Sequence, residues 1–241
     1  MNNSEFAKIQ QQVCAKIDYL YEVLRTIQDI NAEALYASKK VVERSPFING
    51  DEKINYSIDA ISIRISPENI KRFSRIPEYQ ISNAELCLRL KGVINANLWN
   101  EEDKNPWEAL TFSTQFKVIT MDGELCEKSF HVDQVQNIDA VYNDVHPWCH
   151  LHFNGDVEER LSINLPRLVH YPLDMVLGLI VVLQNYAPEK YKVLRTKSQF
   201  VSLCHRSQKR ILFPYFNSLF YVINKEGECN KKYSKLCPYL L

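Results

Sequence analysis

The segment Leu110–Val132 constrains the fold most. Leu110, Phe112, Thr114, Phe116 and Val118 alternate with polar neighbours, Met121-Asp122-Gly123-Glu124 follows, and an apolar-polar return runs over Leu125–Val132. Alternation with period two puts one set of side chains on one face of a strand. Asp-Gly supplies the positive φ angles of a tight hairpin. A hairpin with one apolar face must bury that face, so the chain needs further strands and a covering layer.

The rest of the sequence supplies both. Ile54, Tyr56, Ile58 and Ala60 alternate, then Ile61, Ile63 and Ile65 alternate in the opposite parity. A bulge or bend near Ala60 accounts for the switch. Leu86, Leu88 and Leu90 mark another strand, Trp148–Phe153 a further one, and Leu161–Leu165 a short last one, after a turn at Asn154-Gly155-Asp156. The helical layer begins at the N-terminus. Phe6, Ile9, Val13, Ile17, Leu20, Leu24 and Ile27 recur at spacings of three and four, capped by Asn3 or Ser4 with Glu5 in the first turn. This stripe suits packing on the chain's own sheet better than a coiled-coil seam. A second helix is predicted over Ala32–Val42. Pro172 fits a first helical position, with Asp174 in the first turn of a helix carrying Leu173, Val176, Leu177, Ile180 and Leu183. Two more helices are predicted over Pro188–His205 and Ser207–Ile223, the second bent at Pro214.

The resulting expectation is an α+β fold with an N-terminal amphipathic helix, a curved antiparallel sheet of five to seven strands, and a C-terminal helical lobe. Residues 1–187 would form the core domain, and 188–241 a basic lobe and tail packed on it. With 241 residues, 6 glycines and 10 prolines, the chain has the length for a substantial core and little low-complexity character. Its apolar run at Met175–Leu183 is far shorter than the ~20 residues that span a bilayer. The start Met1-Asn2-Asn3-Ser4-Glu5 lacks the features of a signal peptide, which points to the cytosol. Seven cysteines, an odd number with no CxxC, read as buried or idle thiols rather than a disulfide framework.

Formal charge sums to zero, yet it is segregated. Between Trp99 and Glu159 stand 13 acidic and 3 basic residues; between Pro188 and Leu241 stand 11 basic and 3 acidic. The basic set includes Lys190, Lys192, Arg195, Lys197, Arg206, Lys209 and Arg210, interleaved with Tyr191, Phe200, Tyr215 and Phe216. Phosphate attracts cations and bases stack on aromatic planes, so this lobe is a candidate surface for nucleic acid. An acidic protein partner, or neutralisation of the protein's own acidic sheet, are the competing readings.

The most chemical stretch is His146-Pro147-Trp148-Cys149-His150-Leu151-His152. On a strand, His150 and His152 share a face, an arrangement that suits two imidazoles on one zinc ion. His146 has the same parity, and His131, Asp133 and His170 are candidate further ligands. Such a site would activate water for hydrolysis. Without metal, His150 and His152 as acid–base groups with Arg167 holding phosphate would suffice for RNA cleavage by a toxin. Histidines stacked in a core beside Trp148 and Phe153 are the plainer alternative. Cys204-His205 and the pair Cys229 and Cys237 are weaker metal candidates. Gln115-Phe116-Lys117 is similar to the end of a restriction-type nuclease core, but its partner acid has no clear candidate. Phosphate-loop, dinucleotide and nucleophile-elbow motifs are absent from the sequence.

His146-Pro147-x-x-His150-Leu151-x-Phe153, then Leu165-Pro166-Arg167, His170-x-Pro172-Leu173 and Val182-Leu183-Gln184-Asn185-Tyr186 resemble a bacterial protein family of unknown function. The resemblance covers Asp144–Pro188. It implies a small cytosolic protein of the kind found beside mobile-element or anti-phage defence genes, and it brings no catalytic residues. Here Asn154-Gly155 stands in place of an immediate glycine, and Arg167 follows Pro166 rather than preceding it.

Two functions follow as expectations. The first is a non-catalytic interaction subunit that binds a partner protein or nucleic acid through its basic lobe, without cofactor or membrane, in a bacterial defence or toxin–antitoxin assembly. The alternative is a metal-dependent hydrolase or nuclease, with zinc on His146, His150 and His152.

Overall fold

The computed structural model describes residues 1–70, 76–101, 104–135, 149–154 and 168–217. The chain is α+β. Helix α1 (Asn3–Leu24) leads through β1 (Ile30–Asn31) to α2 (Ala34–Glu43), β2 (Lys53–Arg64) and the short α3 (Pro67–Ile70). Then come β3 (Ile81–Asn95), β4 (Trp107–Thr120), β5 (Leu125–Val135), β6 (Cys149–Asn154) and β7 (Leu168–Val169). Helices α4 (Met175–Tyr186), α5 (Pro188–Arg195) and α6 (Ser198–Ser207) follow, and α6 runs on through a π-helical turn, Gln208–Leu212.

The strands form one antiparallel sheet in sequence order, β1 to β7, with two-residue strands at its edges. In β2, Ile54 and Ile58 lie opposite Ile94 and Leu90, but Ile61 lies opposite Leu88, so Asp59 and Ala60 share one partner position. This bulge rotates the strand back into phase. Ile54 and Ile58 before it and Ile61 and Ile63 after it are all buried. Leu86, Leu88 and Leu90 of β3 and Phe112 of β4 lie on the same buried face. The β4–β5 connection departs from the expected tight turn. Among the described residues of this loop only Gly123 has positive φ (88°), and Thr120 N–H donates to the Glu124 carbonyl. A glycine after the turn matches a hairpin with a bulge, in which Asp122 needs no positive φ.

The helices cover the apolar face. Phe6, Ile9, Val13, Ile17, Leu20 and Leu24 of α1 are all buried, as their spacing requires. The cap is one residue earlier than expected: Asn2 accepts from Glu5 N–H at 2.9 Å, and Glu5 accepts in return from Asn2 N–H at 3.0 Å. Helix α4 starts later than Pro172 suggests. Asp174 is its cap rather than a first-turn charge, accepting from Leu177 N–H at 2.9 Å. Proline opens α5 instead, at Pro188. The single helix expected over Pro188–His205 is broken into α5 and α6 by Thr196 and Lys197. Gly178 lets α4 lie on the sheet, because a Cβ there would stand 2.2 Å from the Phe112 ring. Leu194, Phe200, Leu203 and Ile211 bring α5, α6 and the π-helical turn into the same core. Among the described residues no helix is long and apolar enough to cross a membrane. The predicted strand over Leu161–Leu165, the turn at Asn154-Gly155-Asp156, and the tail from 218 lie wholly or partly outside the described residues.

Candidate functional site

The apolar stripe of α1 is flanked by a part-buried lysine, Lys16. Lys16 lies three residues after Val13 and four before Leu20, so helical geometry turns its stem toward the buried face. It lines a cleft with Arg206 of α6, Arg210 of the π-helical turn, Tyr56 of β2, Trp107 of β4 and Asp174. The cleft has a cavity volume of about 90 Å³, several times the ~10–15 Å³ that accommodates one water.

Trp99 holds one wall in place. Its indole N–H donates to Gln12 Oε1 at 2.7 Å, and its carbonyl accepts from Arg210 Nη2 at 2.7 Å. Lys16 Nζ stands 3.8 Å from the ring centre, and the Arg210 guanidinium carbon 4.7 Å from it. An aromatic face attracts both cations, so the neutral ring brings like charges together. Burial, then the Arg210 and Arg206 charges, hold the Lys16 ammonium down to about 7. Asp174 is a carboxylate lining the same cleft. Its carboxylate caps α4 through Oδ1 and accepts from the Ser207 hydroxyl at Oδ2, 2.7 Å away. Burial is the largest influence on it and pushes its pKa up.

Helices α5 and α6 and the π-helical turn present the basic residues expected from sequence, Arg206, which also lines the cleft, among them. Lys192, Arg195, Arg206 and Lys209 are exposed, and His205 is exposed between them. Among the described residues Lys192, Arg195, Lys197 and Arg206 form no ion pair with a carboxylate. Arg206 is steadied by Ser202, to which Nη2 donates at 3.3 Å. Lys190 is different: it reaches the Asp29 carboxylate at 3.3 Å and is largely withdrawn from solvent. Arg210 is half-buried against Trp99. Of the seven predicted basic residues, Lys190 and Arg210 are thus drawn into structural contacts. Phe213 and Phe216, just beyond the π-helical turn, are 54% and 42% exposed. Exposed aromatic surface therefore follows the basic stretch along the chain.

The histidine strand is described in its backbone at His150 and His152. The sheet register places His150 opposite Asp133, and His152 opposite His131. His131 Nε2 lies 3.1 Å from Asp133 Oδ2. His146 and Arg167 lie outside the described residues. His170 is not part of this row: its Nδ1 donates to the Tyr171 carbonyl at 2.6 Å, and burial lowers its pKa. Among the described residues no group of three or more His, Cys, Asp or Glu is arranged to hold a metal ion. Gln115 and Lys117 both engage Glu127, at 3.2 and 3.6 Å, within a polar ladder on the outer sheet face. Cys204 is half-buried, with its thiol pushed up to about 11 by burial, and Cys149 is buried and also raised. Cys229 and Cys237 lie outside the described residues.

No protein-family model, no curated protein and no solved structure matches this chain. Sequence reasoning missed Lys16, Trp99 and Tyr56. The signal for Lys16 was present, as a lysine within the arc of the α1 stripe. That for Trp99 was absent, because its role depends on a contact with Arg210 at a separation of 111 residues.

Proposed function

We propose that this protein is a non-catalytic interaction subunit that binds single-stranded nucleic acid through α5, α6 and the turn after α6. One observation carries the proposal: Lys192, Arg195, Arg206 and Lys209 are exposed along α5, α6 and the π-helical turn, and Phe213 and Phe216, which follow in the chain, are exposed as well. Cations follow a phosphate backbone, and aromatic planes accept unstacked bases without regard to sequence. An acidic protein would use the charges but not the stacking surface. Participation in a bacterial defence or toxin–antitoxin assembly belongs to the same proposal and rests on the resemblance over 144–188 alone.

The test is binding of labelled homopolymer RNA and DNA strands at low salt, with duplex and an acidic polypeptide as competitors. The reading expects single strands to bind, and Phe213→Ala with Phe216→Ala to weaken them more than the polypeptide. Equal loss for both ligands, or preference for the polypeptide, supports an acidic protein partner instead.

A second reading, a metal-dependent hydrolase, has one observation in its favour. The register sets two histidine positions of β6 opposite His131 and Asp133 of β5. Imidazole and carboxylate donors are those zinc accepts. Metal analysis of the purified protein, with His131→Ala as control, tests it: near-stoichiometric zinc lost in the variant supports this reading, and its absence removes it.

A further inference from the structure

The cleft between α1, α4 and α6 is lined by an amine that has no acceptor. Lys16 makes no hydrogen bond and no ion pair among the described residues; its contact is the Trp99 face. Other lysines of the chain hold a carboxylate: Lys39 that of Asp18, Lys53 that of Asp51, Lys117 that of Glu127 and Lys190 that of Asp29. The walls around Lys16 include Leu20, Leu90, Ile94, Leu203 and the rings of Trp99 and Trp107. The cavity of about 90 Å³ has room for about six water-sized groups, the size of a short organic molecule. Apolar walls with a few polar groups among them are what a small-molecule site needs.

The titratable and charged groups that line the cleft with Lys16 are Tyr56, Asp174, Arg206 and Arg210. Asp174 is engaged through both oxygens, by Leu177 N–H and the Ser207 hydroxyl. Arg206 bonds to Ser202, and Arg210 to the Trp99 carbonyl. Tyr56 makes no hydrogen bond among the described residues, and burial first, then the Asp174 charge, keeps its hydroxyl protonated and able to donate. Burial is also the largest influence on Lys16, and with it the ammonium is held down to about 7. The Trp99 face favours the ammonium, a smaller effect than burial. A large fraction of Lys16 is thus neutral near neutral pH, where an ordinary lysine is almost wholly charged. An amine that is neutral and set among apolar walls is a nucleophile for carbonyl carbon.

We propose that this cleft captures a short-chain aldehyde or ketone, which Lys16 binds covalently as an imine. The nitrogen lone pair adds to the carbonyl carbon, the C=O π pair moves to oxygen, and a proton passes from nitrogen to oxygen. The carbinolamine then forms C=N as its hydroxyl leaves with the second amine proton. One water is released, and no oxidant or reductant is consumed. The Tyr56 hydroxyl is a donor for the carbonyl oxygen in the same cleft. The capture does not require the outer faces of α5 and α6 to bind a strand, so it goes beyond the function proposed above and does not depend on it.

The experiment is reductive trapping on the full chain, with butanal as the probe and cyanoborohydride as the hydride donor, at about pH 7.5. Cyanoborohydride reduces the imine to a stable secondary amine, and peptide mass spectrometry reads the labelling rate of each lysine. Lys16 is expected to label at least about tenfold faster than the exposed Lys40 and Lys192. Its rate levels off as butanal rises, because the aldehyde is bound before it reacts, whereas the rates at Lys40 and Lys192 rise in proportion. In denaturing urea the three lysines label alike. Labelling of Lys16 no faster than the other two, a Lys16 rate still proportional at about 50 mM butanal, or a preference for Lys16 that persists in urea overturns the proposal. Because each lysine is read separately in wild type, the test needs no variant that must fold. Selective trapping without strand binding leaves this site standing and removes the outer-face function; the reverse result removes this site alone.

Discussion

The Lys16 ammonium stands 3.8 Å from the centre of the Trp99 ring, on a helix whose Val13, Ile17 and Leu20 are buried. The contact joins the first helix to the segment between β3 and β4, and Arg210 approaches the same ring from the far end of the chain. Removing charge from Lys16 therefore relieves a strain in the free protein. Its folded pKa, about 7, lies below the usual 10.5. A depressed pKa means that stability linked to this group is fully present above about 10.5 and is lost as pH falls toward 7. Lys16→Met removes that dependence. The variant is more stable than wild type at about pH 6, by on the order of a few kcal/mol, and the gap narrows between about pH 7 and 10. Thermal unfolding across this range checks it.

Helix α4 depends on glycine at one crossing. A Cβ at Gly178 would meet Phe112 Cε2 at 2.2 Å, and Phe112 is fully buried. Neither group has room to withdraw. Gly178→Ala is expected to destabilise by about 3 kcal/mol despite alanine's better helix propensity. Urea unfolding measures the difference, and Phe112→Leu in the same background restores part of it.

Thr114 presents a hydroxyl to the apolar face of β4. It is 1% exposed, and its Oγ1 has no hydrogen-bond partner among the described residues. A buried hydroxyl without a partner costs more than a methyl group of the same shape. Thr114→Val should raise stability by about 1 kcal/mol, read as a higher urea midpoint with an unchanged slope. An unchanged or lower midpoint contradicts the assignment.

Glu52 fastens the segment before β2. It accepts from Asn97 Nδ2 at 3.0 Å and Gly50 N–H at 3.1 Å, and these bonds hold its carboxyl down to about 2. Stability from this group is present above its usual 4.5 and is lost as pH falls toward 2. Glu52→Gln should lower the melting temperature at neutral pH, and the deficit should disappear near pH 2 to 3.

Local patterns in the sequence were sufficient for most of the fold. The parity switch at Ala60 signalled the bulge that keeps Ile58 and Ile61 on one face, because a period of two tolerates no other correction. The α1 stripe was legible for the same reason. Helix ends were less so: Pro172 and Asp174 both suit a helix start, and only the Leu177 N–H bond decides for Asp174. The candidate site was legible in part. Exposed lysines and arginines of α5 and α6 follow from composition, whereas the withdrawal of Lys190 to Asp29 and of Arg210 to Trp99 depends on contacts between distant segments. Lys16 was hidden because a helical stripe shows which residues are buried, not which cations they trap.

The most direct test of nucleic-acid binding is the salt dependence of affinity for a single-stranded homopolymer. Four exposed cations, Lys192, Arg195, Arg206 and Lys209, predict a plot of log K against log salt with a slope of about −3, given about −0.7 per phosphate contact. Lys192→Gln with Arg195→Gln should bring the slope to about −1.5. A slope near zero, or one that the double variant leaves unchanged, contradicts the assignment of the basic helices as the binding surface.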